Sequence, residues 1–399
     1  MKKGWQTKKL GETCEVVNGG TPKTGVLEYW DGQHRWITPA EMGKRFSPYV
    51  SETDRMISDL GLRNSSAQML PPHSVILSSR APIGHLVINT EPMATNQGCK
   101  GLIPRSQLQH KFLYYYLSSI VDLLNSLGTG ATFKELSGGK LKEVEIPVPP
   151  LPEQQRIVRL LDEAFEGLAT AKANAEKNLQ NARALFESHL QAVFTQRGEG
   201  WVEKRLGEIA EFKNGLNYNK SSGGQTLPVV GVADFQDNYF VPISELQSAT
   251  IDGELADNYA IQTNDILTVR SNGSKHLVGR CMLVGDVGKV VSYSGFIIRI
   301  RFDSKIILPK FLLHFMKCQV TRDILTAGGG GANITNINQE KLSDLLVILP
   351  PYKTQIKLAG ALDDIYEETQ RLAHIYERKL AALAELKQSL LHQAFTGEL

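Results

Sequence analysis

The chain has 399 residues, 42% hydrophobic and 22% charged, with 35 glycines, 17 prolines and a formal net charge of +2. That composition leaves room for two or more domains and excludes a disordered chain, a collagen-like repeat and a miniature scaffold held by staples. The charge is too evenly spread to name a polyanionic partner by itself: residues 1–151 hold 17 Lys+Arg against 13 Asp+Glu, and residues 201–352 hold 15 against 15.

The first segment, residues 1–151, reads as α+β. Apolar runs such as Ser74-Val-Ile-Leu77 predict strands, Gly19-Gly20 and Pro71-Pro72 separate them, and residues 111–124 predict a helix. Pro149-Pro150-Leu151-Pro152 then stops the preceding strand and suits the first turn of a helix. After it, through residue 200, no proline follows. Apolar residues fall at steps of three and four: Ile157, Leu161, Ala164, Leu168, Ala171, Ala175, Leu179, Ala182, Phe186, Leu190 and Val193. That spacing is the seam of a coiled coil, and about 44 residues at ~1.5 Å each make a rod of roughly 65 Å.

Residues 201–352 and 353–399 repeat the plan. Trp5-Gln-Thr-Lys-Lys-Leu-Gly-Glu12 returns as Trp201-Val-Glu-Lys-Arg-Leu-Gly-Glu208, and Asn18-Gly19 as Asn214-Gly215. Ile76-Leu77 with Arg80 returns as Ile266-Leu267 with Arg270. Lys111-Phe-Leu113 matches Lys310-Phe-Leu312, Gln154 matches Gln355, and Leu161-Asp162 matches Leu362-Asp363. Residues 265–269 and 295–300 predict strands, and residues 310–325 a helix. The second stripe runs through Leu358, Leu362, Ile365, Leu372, Tyr376, Leu380, Leu383, Leu391 and Ala394, interrupted by Thr369 and Lys387. Register holds at the ends of the copies and drifts in the middle. A fixed frame with variable loops suits a recognition module, and neutral drift after duplication gives the same pattern.

Rods of equal length and matching register are natural partners. Antiparallel pairing, the expected arrangement, puts two globular parts at opposite ends of a coiled coil with pseudo-two-fold symmetry. Parallel pairing would need residues 201–352 to carry the chain back. Surface helices packed on their own domains are the plainer alternative, against which length counts, since typical helices run ~10–14 residues.

Motifs for chemistry are missing. Gly285-Asp-Val-Gly288-Lys289-Val290 has the wrong spacing and ending for a phosphate loop, and residues 328–331 lack a following Lys-Ser/Thr. Leu349-Pro350-Pro351-Tyr352 imitates an adenine-methyltransferase motif, but its first residue cannot accept a hydrogen bond, so a strand-to-helix joint is expected. Asp303-Ser304-Lys305 reads as a turn after a strand, and the nine histidines form no HxxxH or HExxH pair. Four scattered cysteines (Cys14, Cys99, Cys281, Cys318) form no CxxC. Met1-Lys2-Lys3-Gly4-Trp5 leads into no apolar signal core, and no run approaches the ~20 residues of a membrane span. A non-catalytic protein of the reducing cytoplasm, with no cofactor or metal of its own, is expected.

The remaining motifs carry a resemblance. Asn18-Gly-Gly-Thr-Pro22, Tyr29-Trp30, Trp36-Ile-Thr-Pro-Ala-Glu-Met-Gly43, Thr95-Asn-Gln-Gly98 and Ile146-Pro-Val-Pro-Pro-Leu-Pro-Glu-Gln-Gln-Arg-Ile157 stand in the first copy. Together with the repeat, they make the whole chain resemble the specificity subunit of type I restriction–modification systems. The second copy departs, with Pro350-Pro351-Tyr352-Lys353-Thr354-Gln355-Ile356 in place of the Glu-Gln-Gln-Arg run. The resemblance implies two target recognition domains (1–151 and 201–352), each reading one half of a bipartite double-stranded DNA site. Two spacer helices (152–200 and 353–399) set the gap. It further implies methyltransferase subunits that bind S-adenosylmethionine and restriction subunits that use ATP and Mg.

Such domains need donors for base edges and cations for phosphates. The candidates are Lys23, Arg35, Lys44, Arg45, Arg80 and Lys134 in the first copy. In the second they are Lys213, Asn217, Tyr218, Lys220, Arg270, Lys275, Arg280 and Asn333. Gly128-Thr-Gly-Ala131 and residues 328–331 are places where backbone can approach DNA. For any single candidate a solvated surface charge is as good a reading as a contact; Arg80 and Arg270 stand out because each copy keeps an arginine just past a strand, with structural ion pairs as their lesser alternative. A coiled-coil scaffold with two protein-binding heads is the competing function.

Overall fold

The structure is a computed structural model that describes residues 4–130, 134–218, 222–236, 238–327 and 336–399. The chain forms two compact units that do not follow its order: Met1–Ala175 with Arg378–Leu399, and Glu176–Glu377. Among the described residues, no helix is long and apolar enough to cross a membrane. The four cysteines are free and buried.

In the first unit a five-stranded sheet runs in the order Cys14–Asn18, Cys99–Pro104, Val75–Ser79, Ile83–Asn89, Tyr49–Val50. Val75–Ser79 is central and buried throughout, which is why it reads as a continuous apolar run. Its side chains alternate between two cores. Val75 and Leu77 meet Phe112, Leu113, Ile157 and Leu161, while Ile76 meets Ile37, Met42 and Val87. A second sheet orders Met56–Ile57, Trp30–Ile37 and Met93–Thr95, the last two parallel. The strand Gln6–Lys9 pairs antiparallel with Glu145–Val148, tying the start of the copy to its end.

The second unit uses the same frame. Its four-stranded sheet runs Ala210–Asn214, Ile297–Phe302, Ile266–Val269, Cys281–Leu283, beside a sheet of Ser248–Thr250, Thr226–Val230 and Ser292–Tyr293. Val202–Arg205 pairs with Leu346–Leu349, closing this copy as the first is closed. Residues 303–305 form the expected turn, with Lys305 N donating to Asp303 Oδ1 at 2.9 Å. Pro350-Pro351 is the expected joint between a strand ending at Leu349 and a helix starting at Tyr352.

The ladders correct one repeat match. Asn18 lies opposite Lys100 and Asn214 opposite Ile298; Lys100 in turn faces Leu77 and Ile298 faces Thr268. With the two asparagines equivalent, Leu77 corresponds to Thr268 and Ser79 to Arg270. The neighbouring bonds agree, Ser79 N donating to Gly98 O at 2.7 Å and Arg270 N to Phe296 O at 2.9 Å. Arg80 therefore shares its place with Ser271, and the two arginines are one residue out of step. A one-residue slip moves a side chain to the other face. Strands buried on both faces carry no polar alternation that would reveal the slip in sequence.

The single helices predicted at 111–124 and 310–325 are each broken in two: His110–Ser119 and Val121–Leu127, Pro309–Lys317 and Gln319–Thr326. Ser118 and Ser119 hydroxyls donate to the carbonyls of Tyr114 (2.8 Å) and Tyr116 (2.7 Å), competing with the helix ladder just before its break.

Leu151–Thr195 and Tyr352–Thr396 are each one helix of 45 residues. Their pairing is visible inside each unit. In the first unit Ile157 and Leu161, near the start of one helix, share a core with Leu391 and Ala394, near the end of the other. In the second unit Phe186, Leu190 and Phe194 share a core with Ala359 and Leu362. Beginning meets end both times, so the helices run antiparallel. Both interruptions of the stripe are accommodated. Thr369 is buried with its hydroxyl donating to Tyr366 O at 2.9 Å, and the Lys387 ammonium lies 5.3 Å from the Phe165 ring centroid.

Candidate nucleic-acid interface

In the first unit, three of the sequence motifs close into one hydrogen-bonded knot at an end of the five-stranded sheet. Gly20 N donates to Thr95 O and Asn96 N to Ile37 O, both at 2.9 Å. Trp36 Nε1 donates to Gly20 O and Asn96 Nδ2 to Thr21 Oγ1, again at 2.9 Å. Gly19 has to be glycine, since a Cβ there would come within 1.9 Å of Asn96 O. Asn96 Oδ1 accepts from Gly98 N at 2.8 Å, which fixes a tight tip with Gln97 exposed on it.

Several candidates gather on this rim. Lys23 is exposed, two residues past Thr21, and its carbonyl accepts from Trp30 Nε1 at 3.3 Å. Arg80 passes the tip, its Nε 3.1 Å from where a Cβ on Gly98 would stand. Glu135 lies 3.8 Å from Arg80 and 3.8 Å from the buried Lys100. Lys100 has its pKa lowered by burial, with Glu135 acting in the opposite direction. Lys134 is exposed beside Glu135, which is held by a backbone pair with Thr129 at 2.9 and 3.0 Å.

The other first-copy candidates lie elsewhere. Arg35 is half-buried within the second sheet, opposite Met56 and Met93. Lys44 is exposed after the short helix Pro39–Met42. Arg45 is engaged structurally, donating to the buried Glu41 at 2.5 Å and to Glu52 O at 2.6 Å.

The second unit builds the equivalent end with other side chains. Gly215 N donates to Ile297 O at 3.0 Å, Leu216 N to Tyr293 O at 2.9 Å and Gly295 N to Leu216 O at 2.7 Å. Asn217, exposed, and Tyr218, half-buried with its phenol pKa raised by burial, follow directly. A Cβ on Gly295 would stand 2.2 Å from Asn217 Oδ1, so a side chain there would push the exposed Asn217 amide aside. Arg270 is half-buried, held through its backbone to Phe296, and Phe296 itself is 60% exposed. Lys275 is exposed in the loop after Arg270.

Lys213 stands on its strand with its ammonium 4.3 Å from the Tyr259 ring centroid. Arg280 accepts through its carbonyl from Val269 N at 3.0 Å, next to Arg270, but its side chain is engaged elsewhere. It donates to Gln236 O and lines a pocket of about 650 Å³ with Lys317, Arg322, Glu187 and Tyr239. Burial pushes the Glu187 carboxyl up in that pocket, while Arg322 and Lys317 oppose the shift. Lys220 and Asn333 lie outside the described residues, as do residues 328–331 and Ala131.

Three exposed residues lie outside the sequence candidates. Gln97 and Phe296 occupy the tips, and the Arg55 guanidinium lies 3.7 Å over the Trp30 ring centroid. In sequence the first tip is marked by the motif Thr95-Asn-Gln-Gly98 and the second only by Gly295 beside Phe296.

The arrangement offers two end surfaces of similar backbone, each with exposed amide, aromatic or cationic groups on a rigid mount. Both halves of the chain match the model of the type I restriction modification DNA specificity domain, at residues 2–179 and 198–377. The chain is 26% identical, over 422 aligned residues, to the type I restriction enzyme MjaIX specificity subunit of Methanocaldococcus jannaschii, covering 100% of this chain and 94% of that protein. It is 25% identical to the StySPI specificity subunit of Salmonella potsdam, covering 100% of this chain and 90% of that one. In fold it is similar to a chain from a structural study of complex assembly and conformational transition of the type I R-M system. That likeness has a TM-score of 0.79 at 19% identity and covers 100% and 99% of the two chains. It is also similar to the HsdS subunit of Thermoanaerobacter tengcongensis, with a TM-score of 0.60 at 18% identity and coverage of 100% and 98%. The chain belongs to the type I restriction–modification DNA specificity family and is a DNA-recognition subunit of that class.

Proposed function

We propose that each unit reads one half of a bipartite duplex target and that the two long helices set the gap between the halves. The observation that carries this is the repeated frame with unlike rims: the same ladders hold Gln97-Gly98 in one copy and Gly295-Phe296 in the other. Unlike side chains on a like mount are what two different half-sites require. Catalysis falls to partners in the cytoplasm. Methyltransferase subunits bring S-adenosylmethionine, restriction subunits bring ATP and Mg, and this chain chooses the site. Of the sequence candidates, Lys23, Arg80, Lys134, Asn217, Tyr218 and Arg270 gather at the rims and are the proposed DNA contacts.

The near-neutral second copy suggests modest affinity alone, with much of the phosphate clamp supplied by partners. The test is duplex retardation by the full chain together with its methyltransferase subunit, between about 50 and 200 mM salt. A DNA reader gives target-dependent retardation that weakens steeply with salt. A scaffold with protein-binding heads gives none at any salt.

A further inference from the structure

We infer that the two-residue tip at the rim separates the chemistry of the two readers: Gln97 reads a base edge through its amide, and Phe296 makes an apolar contact to a base. This rests on the proposed reading of two half-sites. The ladders make Gln97 equivalent to Gly295 and Gly98 equivalent to Phe296, so each tip carries one projecting side chain and one glycine, in opposite order. In the first unit the glycine leaves room for Arg80, and next to it in the chain stands the exposed Gln97, whose Oε1 accepts from Asn96 Nδ2 at 3.4 Å. A glutamine amide pairs with adenine N6 and N7, and an arginine beside it suits a phosphate or a guanine.

In the second unit the glycine makes room for Asn217, and the aromatic ring projects instead. Phe296 N is held by Ser294 Oγ at 3.3 Å and its carbonyl by Arg270 N at 2.9 Å. A ring that is 60% exposed on so fixed a backbone contributes little to the core. Beside Asn217, Tyr218 and Arg270 it meets DNA as a thymine-methyl contact or as a stacking wedge, both apolar base contacts.

The experiment maps the wild-type target by methylation with the methyltransferase subunit present, then measures binding of that duplex and of single-base variants to wild type, Gln97→Ala and Phe296→Ala. Both side chains are exposed, so folding is retained. Discrimination should fall about tenfold at one position of the first half with Gln97→Ala, and at one position of the second half with Phe296→Ala, the other half unchanged. Duplexes with uracil for thymine, or 2-aminopurine for adenine, sort the two apolar modes. A methyl contact weakens wild-type binding on one uracil duplex, and a wedge brightens one 2-aminopurine. Phe296→Ala abolishes either signal. A complex that still discriminates its target but is indifferent to both substitutions overturns the inference alone. A wild-type complex that discriminates no duplex overturns the two-half-site reading and the inference with it.

Discussion

Gln154 and Gln355 show how single residues root the long helices. Each is buried in the first turn of its helix. Gln154 Nε2 donates to Pro149 O (2.8 Å) and Gln107 O (2.9 Å), and its Oε1 accepts from Gln109 N at 2.9 Å. Gln355 repeats this with Pro350 O (3.0 Å), Ile306 O (3.2 Å) and Leu308 N (2.8 Å). Gln154→Leu or Gln355→Leu leaves three backbone groups in each root without their partner, and should destabilise by about 2–3 kcal/mol in urea unfolding. A loss below about 0.5 kcal/mol would show that water replaces the amide. These glutamines were legible as repeat matches because the same three bonds constrain both copies. The DNA candidates were less so. Charge identifies a cation but not the neighbour that takes it, as Glu41 takes Arg45. Neutral tip residues such as Gln97 and Phe296 give no charge or periodicity signal at all.

At the scale of elements, the helix stripe was the most legible feature, because a 3.6-residue period constrains every turn. Leu161 and Leu362 are each 1% exposed. Leu161→Asp or Leu362→Asp should therefore cost more than about 3 kcal/mol, measured as a fall in Tm. Unchanged melting in either variant would contradict helix burial.

The second helix is also pinned by Asp363, which accepts from Lys310 Nζ at 2.6 Å and from His314 Nε2 at 2.9 Å. Burial pushes the Asp363 carboxyl up, but the hydrogen bonds from His314 and Lys310 outweigh it and hold the pKa below the usual value. A lowered folded pKa gives stability that is complete above the unfolded value of about 3.9 and is lost as pH falls through the folded one. The stability gap between wild type and Asp363→Asn should accordingly narrow as pH falls from about 5 toward 3. A gap that persists unchanged at pH 3 would remove the ion pair from the account. Strand register and helix breaks were not legible. An all-buried strand has no alternation to fix its parity, and the serine hydroxyls that compete at 118–119 leave the apolar pattern intact.

At the scale of the molecule, the chain passes from one compact unit to the other within each helix, between residues 175 and 176 and again between 377 and 378. If the helices set the gap between half-sites, their length is the quantity to change. Seven residues inserted after Ala175 and seven after Glu377 keep the three-and-four stripe and lengthen each helix by roughly 10 Å. B-DNA rises about 3.4 Å per base pair. The most direct test is methylation mapping with the lengthened chain and its methyltransferase subunit. The gap should grow by about two to three base pairs while both half-site sequences stay as they were. An unchanged gap together with full activity would contradict the claim that the helices space the two readers.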